Sequence, residues 1–110
     1  MPLGAQRPAA SSQVAAEPGS LTILVADDEP EVRATVGRVL KTHGCRVLQA
    51  VDGVHALEMA ARHPGPIHLL VTDIEMPRLD GHELHRRLKH QRPETRTLFM
   101  SGAQIGRAHV

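Results

Sequence analysis

Three aspartates are the residues of this sequence whose types and positions best suit chemistry. Asp27 and Asp28 directly follow the apolar run LTILVA, and Asp73 directly follows IHLLVT. Carboxylates that lie close together repel one another and raise each other's pKa unless a cation offsets their charge. Mg²⁺ suits such a cluster because it takes one or two carboxylates and completes its ligands with water and phosphoryl oxygens. If the two apolar runs are neighbouring strands, the aspartates predict a magnesium site.

Asp73 is also the best candidate for a nucleophile. A carboxylate can attack phosphorus to form an aspartyl phosphate, while a metal ion neutralises charge on the other phosphoryl oxygens. Asp27 and Asp28 are adjacent and therefore suit a shared metal-binding role, which leaves Asp73 to accept the phosphoryl group. Each aspartate taken alone is better explained as a solvated acid or a helix cap, so only the combination favours chemistry.

The segments that position these aspartates alternate between strand-like and helix-like patterns. Strand-like apolar runs occupy residues 21–26, 45–51, 67–72 and 97–101. Apolar residues recur between them at helical spacing, and each set predicts the packing face of a helix: Val32, Val36, Val39 and Leu40; Val54, Leu57, Ala60 and Ala61; and Leu84 and Leu88. This alternation predicts an α/β fold with a parallel sheet and helices on both faces. Such sheets bind ligands at the carboxyl ends of their strands, where the aspartates lie.

Composition favours one globular domain without a nucleic-acid or membrane partner. The 110 residues are 41% hydrophobic and 23% charged, with a net charge of +1, as expected for a single domain. Residues 1–20 are rich in Ala, Ser, Pro and Gly, which predicts a disordered tail or linker. No apolar run approaches the roughly 18 to 20 residues that span a bilayer. We therefore expect a cytoplasmic protein that contacts neither membrane nor nucleic acid directly.

Three segments of the chain resemble the signature segments of bacterial response-regulator receiver domains, the phosphorylated modules of two-component signalling. They are ILVADDEPEVR, LLVTDIEMPRLDG and LFMSG, in the same order and at fitting intervals. Three spaced segments are far more specific than an isolated pair of aspartates. The resemblance covers residues 21–104 and implies a flavodoxin-like, doubly wound parallel sheet.

The resemblance also implies a role for each site residue. Asp73 would be the phosphoacceptor and contact Mg²⁺, Asp28 would bind the metal directly, Asp27 would bind it through water, and Glu75 would offer it a backbone carbonyl. Ser101 would hydrogen-bond the phosphoryl group through its hydroxyl and carry the conformational switch. A histidine kinase or a phosphotransfer domain would supply the phosphoryl group, and association between receivers is a further expectation. The protein would be a signalling module and not an enzyme.

The sequence departs from the family pattern at its C-terminal end. A complete receiver continues with a fourth helix, a fifth strand whose Lys contacts the phosphoryl group, and a fifth helix, and we expect all three to be missing here. Lys41 and Lys89 fall within predicted helices and do not match that Lys. One set of codons for residues 105–110 (IGRAHV) spells the start of a common sequencing adapter. We therefore expect this segment to be non-native and the receiver to be truncated.

Two other functions fit part of the pattern. A degenerate receiver that binds partners without phosphorylation is favoured by the missing Lys. A Mg²⁺-dependent phosphohydrolase with an aspartate nucleophile also uses a related α/β sheet. Such an enzyme usually carries the pattern DxD directly after its first strand, and the segment Asp27-Asp28-Glu29 lacks that spacing.

Overall fold

The computed structural model describes residues 20–100, which form a four-stranded sheet and three helices. The elements follow one another as β1 (Thr22–Ala26), α1 (Pro30–Thr42), β2 (Arg46–Ala50), α2 (Gly53–Arg62), β3 (Leu69–Asp73), α3 (Gly81–Gln91) and β4 (Arg96–Met100). The predicted α/β fold class is confirmed, and each predicted strand and helix has a counterpart. No helix within these residues is long and apolar enough to cross a membrane. Apart from Ser20, the predicted tail (1–20) and the predicted non-native segment (105–110) lie outside the described residues.

All four strands run parallel, in the order β2-β1-β3-β4. Ala26 of β1 lies opposite Thr72 of β3, and Asp73 of β3 lies opposite Met100 of β4. From β1 the chain moves outward to β2 and then returns past β1 to β3, so the strand order reverses between β1 and β3. In sheets of this kind the crevice beyond the strand ends at that reversal is the usual ligand site.

Two hydrophobic clusters, one on each face of the sheet, join the helices to the strands. Successive side chains of a strand point to opposite faces, so Leu70 packs with α2 and α3 while Val71 packs with α1. Leu84 and Leu88 of α3 are almost completely buried, as their spacing predicts. Burial of a leucine side chain contributes about 1.5 to 3 kcal/mol, so these positions account for much of the attachment of α3 to the sheet.

Val39 does not lie on the packing face of α1, and the prediction for this residue is wrong. Its side chain is 51% exposed. The helix instead turns Gly37 towards β2, where an added Cβ would lie 2.5 Å from Nε2 of Gln49. A residue two positions farther along a helix points about 200° away, so Val39 faces outward.

The prediction for Ala61 is wrong for a related reason. This residue is exposed, whereas the buried residues of α2 are Gly53, Ala56 and Ala60. Their small size lets the backbone of α2 approach the rest of the fold closely, as the short distances around Gly53 show. Apolar spacing predicted the helix correctly, but the line of smallest residues determines which face packs.

β3 begins two residues later than predicted. Ile67 is fully buried but precedes the strand, and its carbonyl accepts a hydrogen bond from the Thr95 hydroxyl at 2.6 Å. The ladder therefore starts at Leu69 and continues through Asp73, which is the last residue of β3 and not the first residue after it.

Arg92 joins the end of α3 to the end of α2. Its guanidinium donates hydrogen bonds to the backbone carbonyls of Ala60 (2.8 Å from Nη2), His63 (2.7 Å from Nη2) and Gly65 (2.8 Å from Nη1). The last carbonyls of a helix have no partners within that helix. A single planar side chain with several donors therefore satisfies the end of α2 and the start of the following loop.

Replacing Arg92 should test this contact. Arg92→Ala should lower the free energy of unfolding by about 1 to 3 kcal/mol, because it leaves partly buried carbonyls without donors. Arg92→Lys should recover only part of the loss, since its single ammonium cannot reproduce the planar arrangement of donors. Urea denaturation measures the effect, with Arg38→Ala on the exposed side of α1 as the matched control. Equal stability of Arg92→Ala and the wild type would contradict the proposed contribution.

Candidate functional site

Asp27, Asp28 and Asp73 meet at the carboxyl ends of β1 and β3. Asp27 and Asp28 directly follow β1, and Asp73 ends β3. One carboxylate oxygen from each aspartate lies within 4.8 Å of the other two. The structure thus brings together the three aspartates that the sequence singled out, at the point where the strand order reverses.

The three carboxylates differ in their exposure to solvent. Asp27 is buried, with 3% of its surface exposed, whereas Asp73 is half-buried and Asp28 is exposed. Oδ1 of Asp27 accepts a hydrogen bond from the backbone N–H of Glu29 at 2.8 Å. Arg33 donates a further hydrogen bond to the backbone carbonyl of Asp27 at 2.6 Å. Asp27 is therefore fixed in place, while Asp28 is open to solvent and Asp73 is partly accessible.

Burial and, to a lesser extent, the neighbouring negative charges raise the pKa of Asp27. Burial of its carboxyl is the largest cause, the Glu29 N–H opposes the shift, and the negative charges of Asp73, Asp28 and Glu29 add to it. Within residues 20–100, no Lys or Arg forms a salt bridge with any of the three aspartates. The cluster is an all-oxygen donor set with uncompensated negative charge, and such a donor set fits a hard cation such as Mg²⁺.

The backbone that follows Asp73 is held from two sides. The N–H of Ile74 donates to the carbonyl of Met100 in β4 at 3.1 Å, and the carbonyl of Ile74 accepts from the N–H of Gly81 at 2.7 Å. A Cβ at Gly81 would lie 2.3 Å from the carbonyl oxygen of Asp73. Only glycine therefore allows α3 to begin directly against the end of β3.

The loop of residues 74–80 is attached to the start of α2. Nη2 of Arg78 donates to Oδ2 of Asp52 at 2.6 Å, and Oδ1 of Asp52 caps α2 by accepting from the N–H of His55 at 2.8 Å. The His55 N–H and then Arg78 hold the pKa of Asp52 below its usual range, against the opposing effect of burial. Arg78 has a positive φ of 71°, which is uncommon for a residue other than glycine.

The sequence analysis did not single out Asp52 or Arg78 as site residues. Asp52-Gly53 was recognisable as the start of a helix, because aspartate is a favoured N-cap. A pairing of that cap with a loop 26 residues away leaves no local pattern in the sequence. It becomes visible only once the fold places the two segments side by side.

Glu75 and Ser101 are the remaining residues predicted at the site. Glu75 is exposed and lies in the loop two residues after Asp73, and the predicted use of its carbonyl stays a prediction. Ser101 lies outside the described residues. It directly follows Met100, which is paired with Asp73, and its role also stays a prediction.

Residues 23–108 match the family model of the response regulator receiver domain. This match covers most of the chain, and the protein belongs to the response regulator receiver domain family of two-component signalling systems. The resemblance read from the three sequence segments is thereby confirmed. The family is a signalling domain and not a conventional enzyme. The boundary at residue 104 and the non-native origin of residues 105–110 stay predictions.

Individual relatives agree with this assignment. The sequence is 38% identical over 84 residues to the sensor kinase CckA of Brucella abortus, an alignment that covers 76% of this chain but 9% of that kinase. A receiver domain protein from Clostridium thermocellum has a similar structure, with a TM-score of 0.70, 26% identity and coverage of 80% of this chain and 71% of that one. TrrA of Thermotoga maritima, solved in complex with Mg²⁺-BeF, gives a TM-score of 0.67, 26% identity and coverage of 82% and 76%.

Gly81→Ala should disturb both the fold and the position of Asp73. The added Cβ would meet the backbone of Asp73, which cannot rotate away as a side chain can. We expect a loss of about 1 to 3 kcal/mol in the free energy of unfolding, as for other overpacked sites. Gly65→Ala is the control, because its Cβ would come no closer than 3.7 Å to another group. Urea denaturation compares the two, and equal effects would contradict the close approach.

Asp27→Asn should stabilise the protein without divalent metal ions at neutral pH. Because the pKa of Asp27 is raised on folding, its carboxyl disfavours the folded state increasingly as pH rises through the interval between its unfolded and folded pKa values. Asparagine keeps the oxygen that accepts from Glu29 but removes the charge, so we expect a gain of about 0.5 to 2 kcal/mol. The gain should shrink as pH falls towards the ordinary carboxyl pKa.

Urea denaturation with a chelator present, repeated over a range of pH, measures this effect. Glu94→Gln changes an exposed acid away from the cluster and should show no comparable gain. A loss of stability in Asp27→Asn at neutral pH would show that the charge of Asp27 is compensated in the fold.

Proposed function

We propose that this receiver domain accepts a phosphoryl group on Asp73, with Mg²⁺ held by Asp27, Asp28 and Asp73. The observation that supports the proposal is the convergence of the three carboxylates within 4.8 Å of one another. The phosphoryl donor is a histidine kinase or a phosphotransfer domain, the partners expected for this family. The sequence similarity to part of a sensor kinase is consistent with such a donor.

Exposure favours Asp73 over Asp27 as the acceptor. Asp27 is buried and has one carboxylate oxygen occupied by the Glu29 N–H, so a bulky phosphoryl donor cannot approach it in line. Asp73 is half-buried at the end of a strand, which fixes its backbone and leaves its side chain accessible. Asp28 is exposed and adjacent to Asp27, which suits a metal ligand at the edge of the site.

The transfer forms one bond and breaks one. A carboxylate oxygen of Asp73 attacks the phosphorus of a phosphohistidine, the phosphorus–nitrogen bond breaks, and the electron pair stays on the imidazole, which takes up a proton. Mg²⁺ bound at the site would neutralise charge on the phosphoryl oxygens. Asp27, Asp28 and Asp73 would hold that ion, and Glu75 would contribute its backbone carbonyl. TrrA, which was solved with Mg²⁺-BeF, supports this choice of metal by similarity.

Ser101 completes the proposed site on the β4 side. The residue before it, Met100, lies opposite Asp73 in the sheet, which supports a role for Ser101 at the acceptor. A serine hydroxyl can donate a hydrogen bond to a phosphoryl oxygen. This contact forms only after phosphorylation and would therefore distinguish the two states.

Phosphorylation can be tested with acetyl phosphate as a small donor. We expect the wild-type chain to gain one phosphoryl group, detected by intact mass, only when Mg²⁺ is present, and to lose it in base. Asp73→Asn should abolish the gain, Asp28→Asn should raise the Mg²⁺ concentration needed for labelling by about tenfold or more, and Glu94→Gln should behave as wild type. Labelling of Asp73→Asn at the wild-type level would refute the assignment of Asp73.

A receiver that acts only as a protein-interaction module is the second candidate. It is favoured by the positions of Lys41 and Lys89, each in the last turn of its helix. A helix that links two parallel strands runs antiparallel to them, so its last turn lies near the amino ends of the strands. The aspartates lie at the opposite, carboxyl ends. Neither lysine can reach a phosphoryl group on Asp73. A wild-type chain that binds Mg²⁺ but gains no phosphoryl group would support this alternative.

A further inference from the structure

We propose that Arg78 and Asp52 are positioning residues, whose ion pair holds the loop of residues 74–80 in the conformation that presents Glu75 to the metal. This inference rests on the proposed function for the role of Glu75 alone. The contact between the loop and α2 is a property of the fold. It assigns a function to two residues outside the cluster of aspartates.

The pair joins an exposed residue to an almost buried one. The side chain of Arg78 is 61% exposed, whereas that of Asp52 is 11% exposed, and the two are 2.6 Å apart. Asp52 is itself fixed, because its other carboxylate oxygen caps α2. Arg78 therefore binds a carboxylate that is already fixed at the start of α2. The pair restrains the loop, whereas the position of the helix does not depend on it.

The backbone of Arg78 forms a tight turn, in which the N–H of Leu79 donates to the carbonyl of Pro77 at 2.8 Å. Its φ of 71° lies in the left-handed region, which glycine and asparagine adopt more readily than arginine does. Neither of those residues carries a charge that could pair with Asp52. A strained backbone persists when surrounding contacts hold it, and such strain is concentrated near functional sites.

Packing places the loop against the same helix end. An added Cβ at Gly53 would lie 2.8 Å from the carbonyl oxygen of Leu79, so the loop and the start of α2 are in direct contact. Met76 and Leu79 are buried in the core on this face of the sheet. Residues on both sides of Pro77 are thus anchored, and the exposed Glu75 directly precedes the first anchor.

An ion pair with one solvent-exposed partner contributes little to the free energy of unfolding. Its consequence should instead be seen in the order of the loop and in the affinity for metal. The pair attaches the loop of residues 74–80 to α2, which reduces the number of conformations open to the Glu75 carbonyl. The expected effect is therefore on Mg²⁺ affinity and not on the maximal rate of phosphorylation.

Two substitutions isolate the pair. Asp52→Asn keeps an oxygen that caps α2 but removes the charge, and Arg78→Asn suits the positive φ but removes the cation. Arg78→Lys keeps the charge, and Arg38→Ala is the control for loss of an arginine elsewhere. The full 110-residue chain is used throughout. The measurements are Mg²⁺ affinity by calorimetry, the dependence of acetyl phosphate labelling on Mg²⁺, and amide hydrogen exchange of residues 74–80.

We expect Asp52→Asn and Arg78→Asn each to weaken Mg²⁺ binding by about two- to fivefold, to speed amide exchange in the loop, and to leave the maximal labelling rate unchanged. The double variant should be no weaker than either single variant, because both remove the same pair. Arg78→Lys should restore most of the affinity, and Arg38→Ala should match the wild type.

Unchanged exchange in the loop would overturn the proposal, whatever the result with Mg²⁺. A lower unfolding temperature with unchanged Mg²⁺ affinity and unchanged exchange would show a merely structural pair and would also overturn it. If the wild type itself binds no Mg²⁺, the proposed function fails. Faster exchange in both variants would then still support the attachment of the loop by this pair.

Discussion

β1 and β3 are neighbours in the sheet although α1, β2 and α2 lie between them in the chain. Their hydrogen-bonded pairing sets Ala26 opposite Thr72, which brings the residues that follow, Asp27 and Asp73, level with each other. A slip of one residue would turn every side chain of β3 to the opposite face of the sheet. The hydrophobic clusters that prevent such a slip therefore also determine the geometry of the acidic site, so the core and the site have a common origin.

The acidic site lowers the stability of the folded domain. Three carboxylates share a small volume, one of them is buried, and within residues 20–100 none of them forms a salt bridge. Arg78 adds a backbone conformation that arginine disfavours. The stabilising contacts lie elsewhere, in the two core clusters and in the hydrogen bonds of Arg92. A separation of this kind is expected when a preorganised site must hold like charges ready for a cation.

Much of this architecture could be predicted because the chemistry and the secondary structure share the same short segments. Apolar runs that end in aspartate predict both a strand and a ligand, so the positions of Asp27, Asp28 and Asp73 followed from the order of elements. The exposed Val39 and Ala61 could not be predicted from apolar spacing, because small residues elsewhere in the same helices set the packing face. The contact of Asp52 with the loop depends on two segments that only the folded chain brings together.

The peptide unit after Asp73 is bonded to β4 through its N–H, and the carbonyl of the same residue, Ile74, is bonded to the start of α3. Gly81 lies so close to the carbonyl of Asp73 that the backbone cannot shift towards α3. The proposed acceptor is therefore at a rigid connection between a strand and a helix. A backbone displacement at Asp73 would therefore move β4 and α3 together. The Asp73 side chain can rotate without such a displacement.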